Sequence, residues 1–137
     1  MVSRLLRQRR SSVCSDYGRG DYMNKDPKIR GRSCRNKGAN GERELANLIR
    51  DTWGYEVKRG QCFNHQSDLV GLPGIHPEVK RVEKLNIYEA MAQAIEESQK
   101  REDGLPTVFH RRNNKEWLVT MRLTDWMDLL GAWIDGR

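Results

Sequence analysis

The sequence predicts an α/β protein, a mixed β-sheet flanked by helices, with elements in the order α-β-β-β-α-β-β-α. In three segments, apolar residues recur every three or four positions, as on the buried face of a helix. Short strand-like runs lie between them, bounded by turn signals at Leu72-Pro73-Gly74 and Asn113-Asn114. At 137 residues, the chain suits one modest core.

The first half of this pattern contains one helix and three strands. The helix is expected to begin at Asn40, a capping residue, and to end near Trp53, because Gly54 favours helix termination. Its predicted buried stripe consists of Leu45, Leu48, Ile49 and Trp53. The strands are expected at Tyr55 to Arg59, Ser67 to Gly71 and Ile75 to Val82.

The second half contains a helix, a pair of strands and a final helix. Asn86 is the predicted cap of a helix over about Ile87 to Lys100, with Ile87, Met91 and Ile95 on one face. Strands are expected at Pro106 to Arg111 and Glu116 to Arg122. Thr124 is the predicted cap of the last helix, whose apolar stripe contains Trp126, Leu129, Leu130 and Trp133. This spacing predicts that the tryptophans mostly pack in the core.

The charge is concentrated at the N-terminus. The net charge is +6, but residues 1–37 carry 11 Lys and Arg against 3 Asp, or +8, which leaves −2 for the rest. Residues 1–36 lack periodicity and are expected to form a disordered basic arm, with a globular domain over 37–137. Such an arm favours binding to nucleic acid, because its basic residues can neutralise phosphates. A solvated tail that only improves solubility would have the same composition.

The composition favours a cytoplasmic protein. No apolar run approaches the roughly 20 residues of a membrane span, and no apolar segment follows the basic start as in a secretory signal. The cysteines, Cys14, Cys34 and Cys62, show no disulfide framework and are expected to be reduced. Cys62, His65 and His76 match no strong zinc spacing and show no fourth ligand.

The strongest chemical signal is Asp68 at the end of one strand, followed by Glu78-Val79-Lys80 in the next. Alternation along a strand places Glu78 and Lys80 on one face and turns Val79 towards the core. Two carboxylates beside a cation suit Mg²⁺, which would acidify a bound water and offset phosphate charge. An ordinary surface hairpin can also contain Glu-x-Lys, so the interpretation depends on neighbouring residues.

Two of these neighbours are Glu42 and the loop between the strands. On a helical wheel Glu42 lies in the middle of the apolar stripe, where a carboxylate needs a partner, whereas Glu44 is expected to point to solvent. A regular two-residue Pro73-Gly74 loop would pair Asp68 with Val79. Paired residues share a face, so Asp68 would then lie on the opposite face from Glu78. A three-residue loop or a one-residue bulge, most simply at Gly74, would pair Asp68 with Lys80 and is therefore expected.

The ordered set of motifs resembles a known family. It consists of Lys37-Gly38-Ala39-Asn40-Gly41-Glu42-Arg43-Glu44-Leu45, Gly54-Tyr55-Glu56-Val57-Lys58-Arg59, Ser67-Asp68-Leu69-Val70 and Glu78-Val79-Lys80. These residues resemble the archaeal-type Holliday-junction resolvases, and more closely their phage-encoded relatives, in the PD-(D/E)xK nuclease superfamily. Pro77 and the long basic arm depart from the archaeal pattern.

The resemblance implies a restriction-endonuclease-like fold and a homodimer that cuts four-way DNA junctions with Mg²⁺, or Mn²⁺ in its place. It implies that Glu42, Asp68 and Glu78 are acidic metal-site residues and that Lys80 is the catalytic lysine. Basic residues that hold DNA would be Lys37, Arg43 and Arg59.

Three hypotheses follow. The first is hydrolysis of a phosphodiester in branched DNA. The second is a related phage nuclease that acts on flaps, forks or duplex DNA. The third is a DNA-binding protein without catalysis, in which the acidic residues are structural. Gln93 is left out of the candidate site, because it lies opposite the predicted apolar stripe of its helix.

Overall fold

The computed structural model describes residues 27–61 and 66–137, with side chains described from residue 36 onward. The described chain forms three helices and five strands in the predicted order. They are α1 (Pro27–Trp53), β1 (Lys58–Arg59), β2 (Leu69–Val70), β3 (Ile75–Arg81), α2 (Ile87–Arg101), β4 (Leu105–Arg111), β5 (Leu118–Met121) and α3 (Leu123–Asp135).

The strands form two small sheets. β1 and β2 pair antiparallel, while the second sheet has the order β3-β4-β5. β3 and β4 are parallel, and β4 and β5 are antiparallel, so this sheet is mixed, but the single mixed sheet that the sequence predicts is divided into two. Helix α2 forms the crossover between β3 and β4, because parallel neighbouring strands need a long connection.

Helices α1 and α2 bury the two faces of the three-stranded sheet. Val79 packs with Leu45 and Ala46 of α1, and Phe109, its partner in the ladder, packs against the same cluster. Val108, one residue earlier on β4, points to the other face and packs against Ala90 and Ala94 of α2. The alternation along the strands therefore separates a core under α1 from a core under α2.

Helix α1 begins at Pro27, so the predicted start at Asn40 was wrong. Pro27 suits a first helical position, where its missing N–H needs no partner. Residues 27–36 of the predicted arm are helical, and residues 1–26 lie outside the described residues. Asn40 lies inside the helix, where its Oδ1 accepts a bond from Arg43. The predicted end is confirmed, since Gly54 has φ +74°.

The tryptophans do not fill the core as predicted. Trp53 is largely exposed, because the cluster under α1 ends at Ile49, one turn earlier. Trp126 and Trp133 of α3 are also exposed. Trp117 does pack, partly buried, against the cluster under α1. The apolar periodicity predicted where the helices lie, but not which of their apolar side chains are buried.

The helix caps agree with the sequence at α2 and differ at α3. Asn86 caps α2, accepting a bond from the Glu89 amide at 3.3 Å, as predicted. The buried face of α2 is Ala90, Ala94 and Ser98. Helix α3 starts at Leu123, so the predicted cap at Thr124 was wrong.

The predicted β2–β3 hairpin is absent from the described residues, because the two strands belong to different sheets. The connection between them contains Gly71 at φ +105° and Gly74 at φ +72°. The Ile75 amide donates to the Leu72 carbonyl at 3.3 Å across Pro73-Gly74, so neither the irregularity expected at Gly74 nor the expected pairing of Asp68 with Lys80 is formed. A Cβ at Gly71 would lie 2.3 Å from the Glu56 carbonyl oxygen, so this position requires glycine.

Pro77 is accommodated because β3 is an edge strand of its sheet. Among the described helices, none combines the length and the apolar character that a membrane span requires.

Candidate active site

No ladder of backbone hydrogen bonds joins β2 to β3, and the side chain of Asp68 makes the connection instead. Asp68, directly before β2, accepts a hydrogen bond from the Val79 amide through Oδ2 at 2.7 Å. Its own carbonyl accepts from the Gly60 amide at 2.9 Å. Asp68 is thus held at the open edge of β3, beside the backbone that links Glu78 to Lys80.

Glu78 and Lys80 share a face of β3, as predicted. Lys80 Nζ lies 2.6 Å from Glu78 Oε1, and the Glu78 side chain is buried. Lys80 Nζ also donates to Gln93 Oε1 of α2 at 3.1 Å. Two partners on different elements therefore fix the position of the ammonium group.

Burial and like charge make ionisation of Asp68 unfavourable. The pKa of Asp68 is raised from 3.8 to about 7, first by desolvation and next by the negative charge of Glu78. The Val79 amide and the Lys80 charge act in the opposite direction, while Glu42 raises the pKa slightly further. A cation between the Asp68 and Glu78 carboxylates would relieve their repulsion.

Glu42 faces inward, as predicted, and is paired. Its carboxylate accepts a charged hydrogen bond from Arg59 Nε of β1, and both side chains are mostly buried. The pair joins α1 to β1 next to Asp68, whose pKa responds to the Glu42 charge. Arg59, predicted to hold DNA, is thus also a direct partner of a predicted metal-site acid.

The other two predicted DNA-binding residues lie on α1. Lys37 Nζ is 3.9 Å from Glu83 Oε1, and Arg43 is exposed and donates to Asn40 at 3.2 Å. Both make surface interactions of the kind that contribute little to stability. Their contact with DNA stays a prediction.

The expectation that Glu44 points to solvent was wrong. Its carboxylate pairs with Arg111 at 2.7 Å and with Arg81 at 3.3 Å, and it accepts from Trp117 Nε1 at 3.4 Å. These contacts tie α1 to β3, β4 and the following turn. Glu44 is therefore a structural acid, in contrast to Glu42.

Sequence reasoning missed Gln93. The sequence places it opposite Met91 and Ile95, but the buried face of α2 runs through Ala90 and Ala94. Gln93 borders that face and reaches Lys80. Ala90, Ala94 and Ser98 are small residues four positions apart, and this spacing could have indicated the side on which α2 lies closest to the sheet.

A second residue that the sequence did not reveal is Asp103, in the turn between α2 and β4. Its Oδ1 lies 2.6 Å from His76 Nδ1, and its Oδ2 accepts from Ser67 Oγ at 3.3 Å. Ser67 precedes Asp68, and His76 stands two residues before Glu78. His76 is buried, so this contact is shielded from solvent. Asp103 thus bridges the two segments that carry the candidate metal ligands.

Replacing Asp103 by alanine is expected to destabilise the protein by about 1–3 kcal/mol, because His76 would remain buried without a partner. Nicking of a DNA junction should fall more than the loss of folded protein explains, because Asp68 and Glu78 lose a common support. Chemical denaturation and single-turnover cleavage measure the two effects. Asp128→Ala, an exposed change on α3, is the matched control. Unchanged stability would contradict the bridging role.

The donor chemistry at Asp68 and Glu78 fits Mg²⁺. This ion commonly takes one or two carboxylates and completes its shell with water and substrate phosphate. Within residues 27–61 and 66–137, no three His, Cys, Asp or Glu side chains form a ready-made metal cluster. Cys62 and His65 lie outside the described residues.

Comparison of the chain with protein-family models and with curated proteins gives no match. A functional interpretation therefore depends on the site itself and on the motif resemblance. The site combines the buried carboxylate of Glu78, the partly buried carboxylate of Asp68 with its raised pKa, and a lysine held by a carboxylate and an amide. An acid with a raised pKa beside a fixed cation is typical of catalytic sites.

Proposed function

We propose that this protein is a Mg²⁺-dependent endonuclease that hydrolyses phosphodiesters in branched DNA, as a member of the PD-(D/E)xK superfamily. The observation that carries the proposal is the grouping of Asp68, Glu78 and Lys80 at one edge of β3. The mixed sheet with α1 and α2 on opposite faces supports a restriction-endonuclease-like fold for the domain.

Asp68 and Glu78 would hold Mg²⁺, or Mn²⁺ in its place. The bound ion would acidify a water molecule and offset charge on the scissile phosphate. Lys80, held by Glu78 and Gln93, would orient or deprotonate the attacking water beside that phosphate. Hydrolysis would leave a 5′-phosphate and a 3′-hydroxyl.

Glu42 is proposed as the third acid of the metal site, and its ion pair would keep Arg59 directed at the DNA backbone. Lys37 and Arg43 would add phosphate contacts along α1, next to the basic N-terminal segment. Four-way junctions have near two-fold symmetry, so paired cuts suit a homodimer with two such sites. We place the protein in the cytoplasm of a bacterial or phage-infected cell.

Cleavage of a labelled four-way junction beside a linear duplex of the same sequence, with Mg²⁺ or with EDTA, tests the proposal. Paired, metal-dependent nicks confined to the junction are expected. Equal cutting of both substrates would indicate a nuclease for flaps, forks or duplex DNA. Tight junction binding with no cutting in either metal would contradict catalysis and leave a DNA-binding protein.

A further inference from the structure

A pocket lies at the C-terminal ends of β3 and β4, where α2 begins. Its volume is about 490 Å³, which is within the range of small-molecule binding sites. Four apolar side chains form its walls, from the connection after β3, the start of α2 and strand β5: Val82, Leu85, Ile87 and Leu118. Val82 and Leu118 are 37% and 57% exposed, so the pocket presents apolar surface to solvent.

The rim of this pocket is basic. Arg112 and Lys115 line it from the turn between β4 and β5, and both are exposed. In the part of the chain that the structure describes, neither side chain forms an ion pair. Arg111 also lines the pocket, but Glu44 pairs with it at 2.7 Å. Among the described lining residues, Glu116 is the one acid. Apolar walls with a surplus of cations suit a ligand that combines an apolar ring with a negative charge.

The pocket adjoins the candidate active site through His110. This residue lines the pocket and is the partner of Lys80 in the parallel ladder of β3 and β4. Both side chains lie on the α2 face of the sheet, since Lys80 reaches Gln93 of α2, and Val108, two residues before His110, packs against α2. Neighbouring strands are about 4.8 Å apart. The pocket therefore begins one strand away from the proposed catalytic lysine.

We propose that this pocket receives one unstacked nucleotide of the DNA strand that is cut, with its base between the apolar walls and its phosphate beside Arg112 and Lys115. The proposal rests on the proposed nuclease function, because that function places a DNA strand at Lys80. A nucleotide combines a flat base, which can be buried between apolar side chains, with a phosphate charge. The imidazole of His110, held by Thr120 Oγ1 at 2.9 Å, provides a flat surface on which the base can stack.

The pocket gives the site a preference for branched DNA. A base within a duplex is stacked and paired, so moving it into a pocket costs free energy, and this cost is smallest for a base that is already unpaired. Pairing and stacking are interrupted at a branch point. A strand at the branch can therefore place a base in the pocket and a phosphate at Lys80 at a lower cost than an intact duplex.

A four-way junction that carries 2-aminopurine at one branch-point position at a time, in EDTA, tests the proposal. The fluorescence of this base analogue increases when it leaves the base stack. The wild type should increase it several-fold at one position, and Leu118→Asp, which puts a charge in the apolar wall, should abolish the increase. Val119→Asp is the matched control, since Val119 is 59% exposed on the opposite face of β5 and its change should retain the increase. No increase at any position, or equal increases with both variants, would overturn the proposal.

An abasic site at the responding position provides a measurement that does not depend on a variant folding. Removing this base from the junction should weaken binding by the wild type about tenfold, as for the loss of one stacked base. Unchanged affinity would contradict the proposal. Both experiments omit Mg²⁺ and need no cutting. Absence of nicking with the fluorescence increase intact would therefore count against the nuclease proposal alone, and nicking without the increase would count against the pocket alone.

Discussion

Replacing Glu78 by glutamine is expected to lower Mg²⁺-dependent nicking of a four-way junction by about a hundredfold to a thousandfold. The substitution keeps the shape of the side chain but removes one of the two carboxylates proposed to hold the ion. The ion is expected to supply several kcal/mol of transition-state stabilisation. Single-turnover cleavage at saturating protein measures the effect on the chemical step.

The same substitution should leave the fold intact. Glu78 is buried, and its charge raises the pKa of Asp68, so its neutralisation removes a repulsion. The ion pair with Lys80 is weakened at the same time, so the thermal midpoint is expected to change little. Glu96→Gln, on the exposed face of α2, is the matched control and should retain full activity. Nicking by Glu78→Gln at the wild-type rate would remove Glu78 from the catalytic site.

The free energy of unfolding of the metal-free protein is expected to fall as the pH rises from about 4 to about 7. Asp68 has a pKa of about 7 in the folded protein and an ordinary value of 3.8. Between these values the folded state keeps a proton that the unfolded state has lost, so raising the pH favours unfolding. The effect is absent below the lower value. It levels off above the upper one at no more than about 5 kcal/mol, since one pKa unit corresponds to about 1.4 kcal/mol.

Asp68→Asn is expected to remove this pH dependence and to abolish nicking. The asparagine oxygen can still accept the Val79 amide, so the contact that holds β2 to β3 persists. At pH 8 the variant should be more stable than the wild type. Denaturation curves across the pH range measure both proteins, with exposed Asp51→Asn as the control. A slope of equal size in Asp68→Asn and wild type would show that another group titrates.

The elements were largely predictable because their signals are local. Capping by Asn86, termination at Gly54 and the alternation of Glu78, Val79 and Lys80 each depend on a few adjacent residues. The inward position of Glu42 also followed from a single helical turn. These features need no knowledge of how distant segments pack.

The missed features depend on contacts between distant segments. Gln93 reaches Lys80 because α2 approaches the sheet through Ala90 and Ala94, and Asp103 reaches His76 through a turn that has no periodic pattern. Adjacent strand patterns suggested a hairpin, but a side-chain bond from Asp68 joins them instead of a ladder. The apolar stripe of α3 predicted the helix but not its burial, since Trp126 and Trp133 are exposed.

The contact of Asp68 with β3 also bears on aggregation. Open strand edges tend to recruit strands from other molecules through unpaired backbone donors. Along the outer edge of β3, the Ile75 amide donates to Leu72, Pro77 has no N–H, and the Val79 amide donates to Asp68. An incoming strand finds these donors already used. A change at Asp68 to a residue without an acceptor would therefore open this edge to intermolecular pairing, apart from any effect on catalysis.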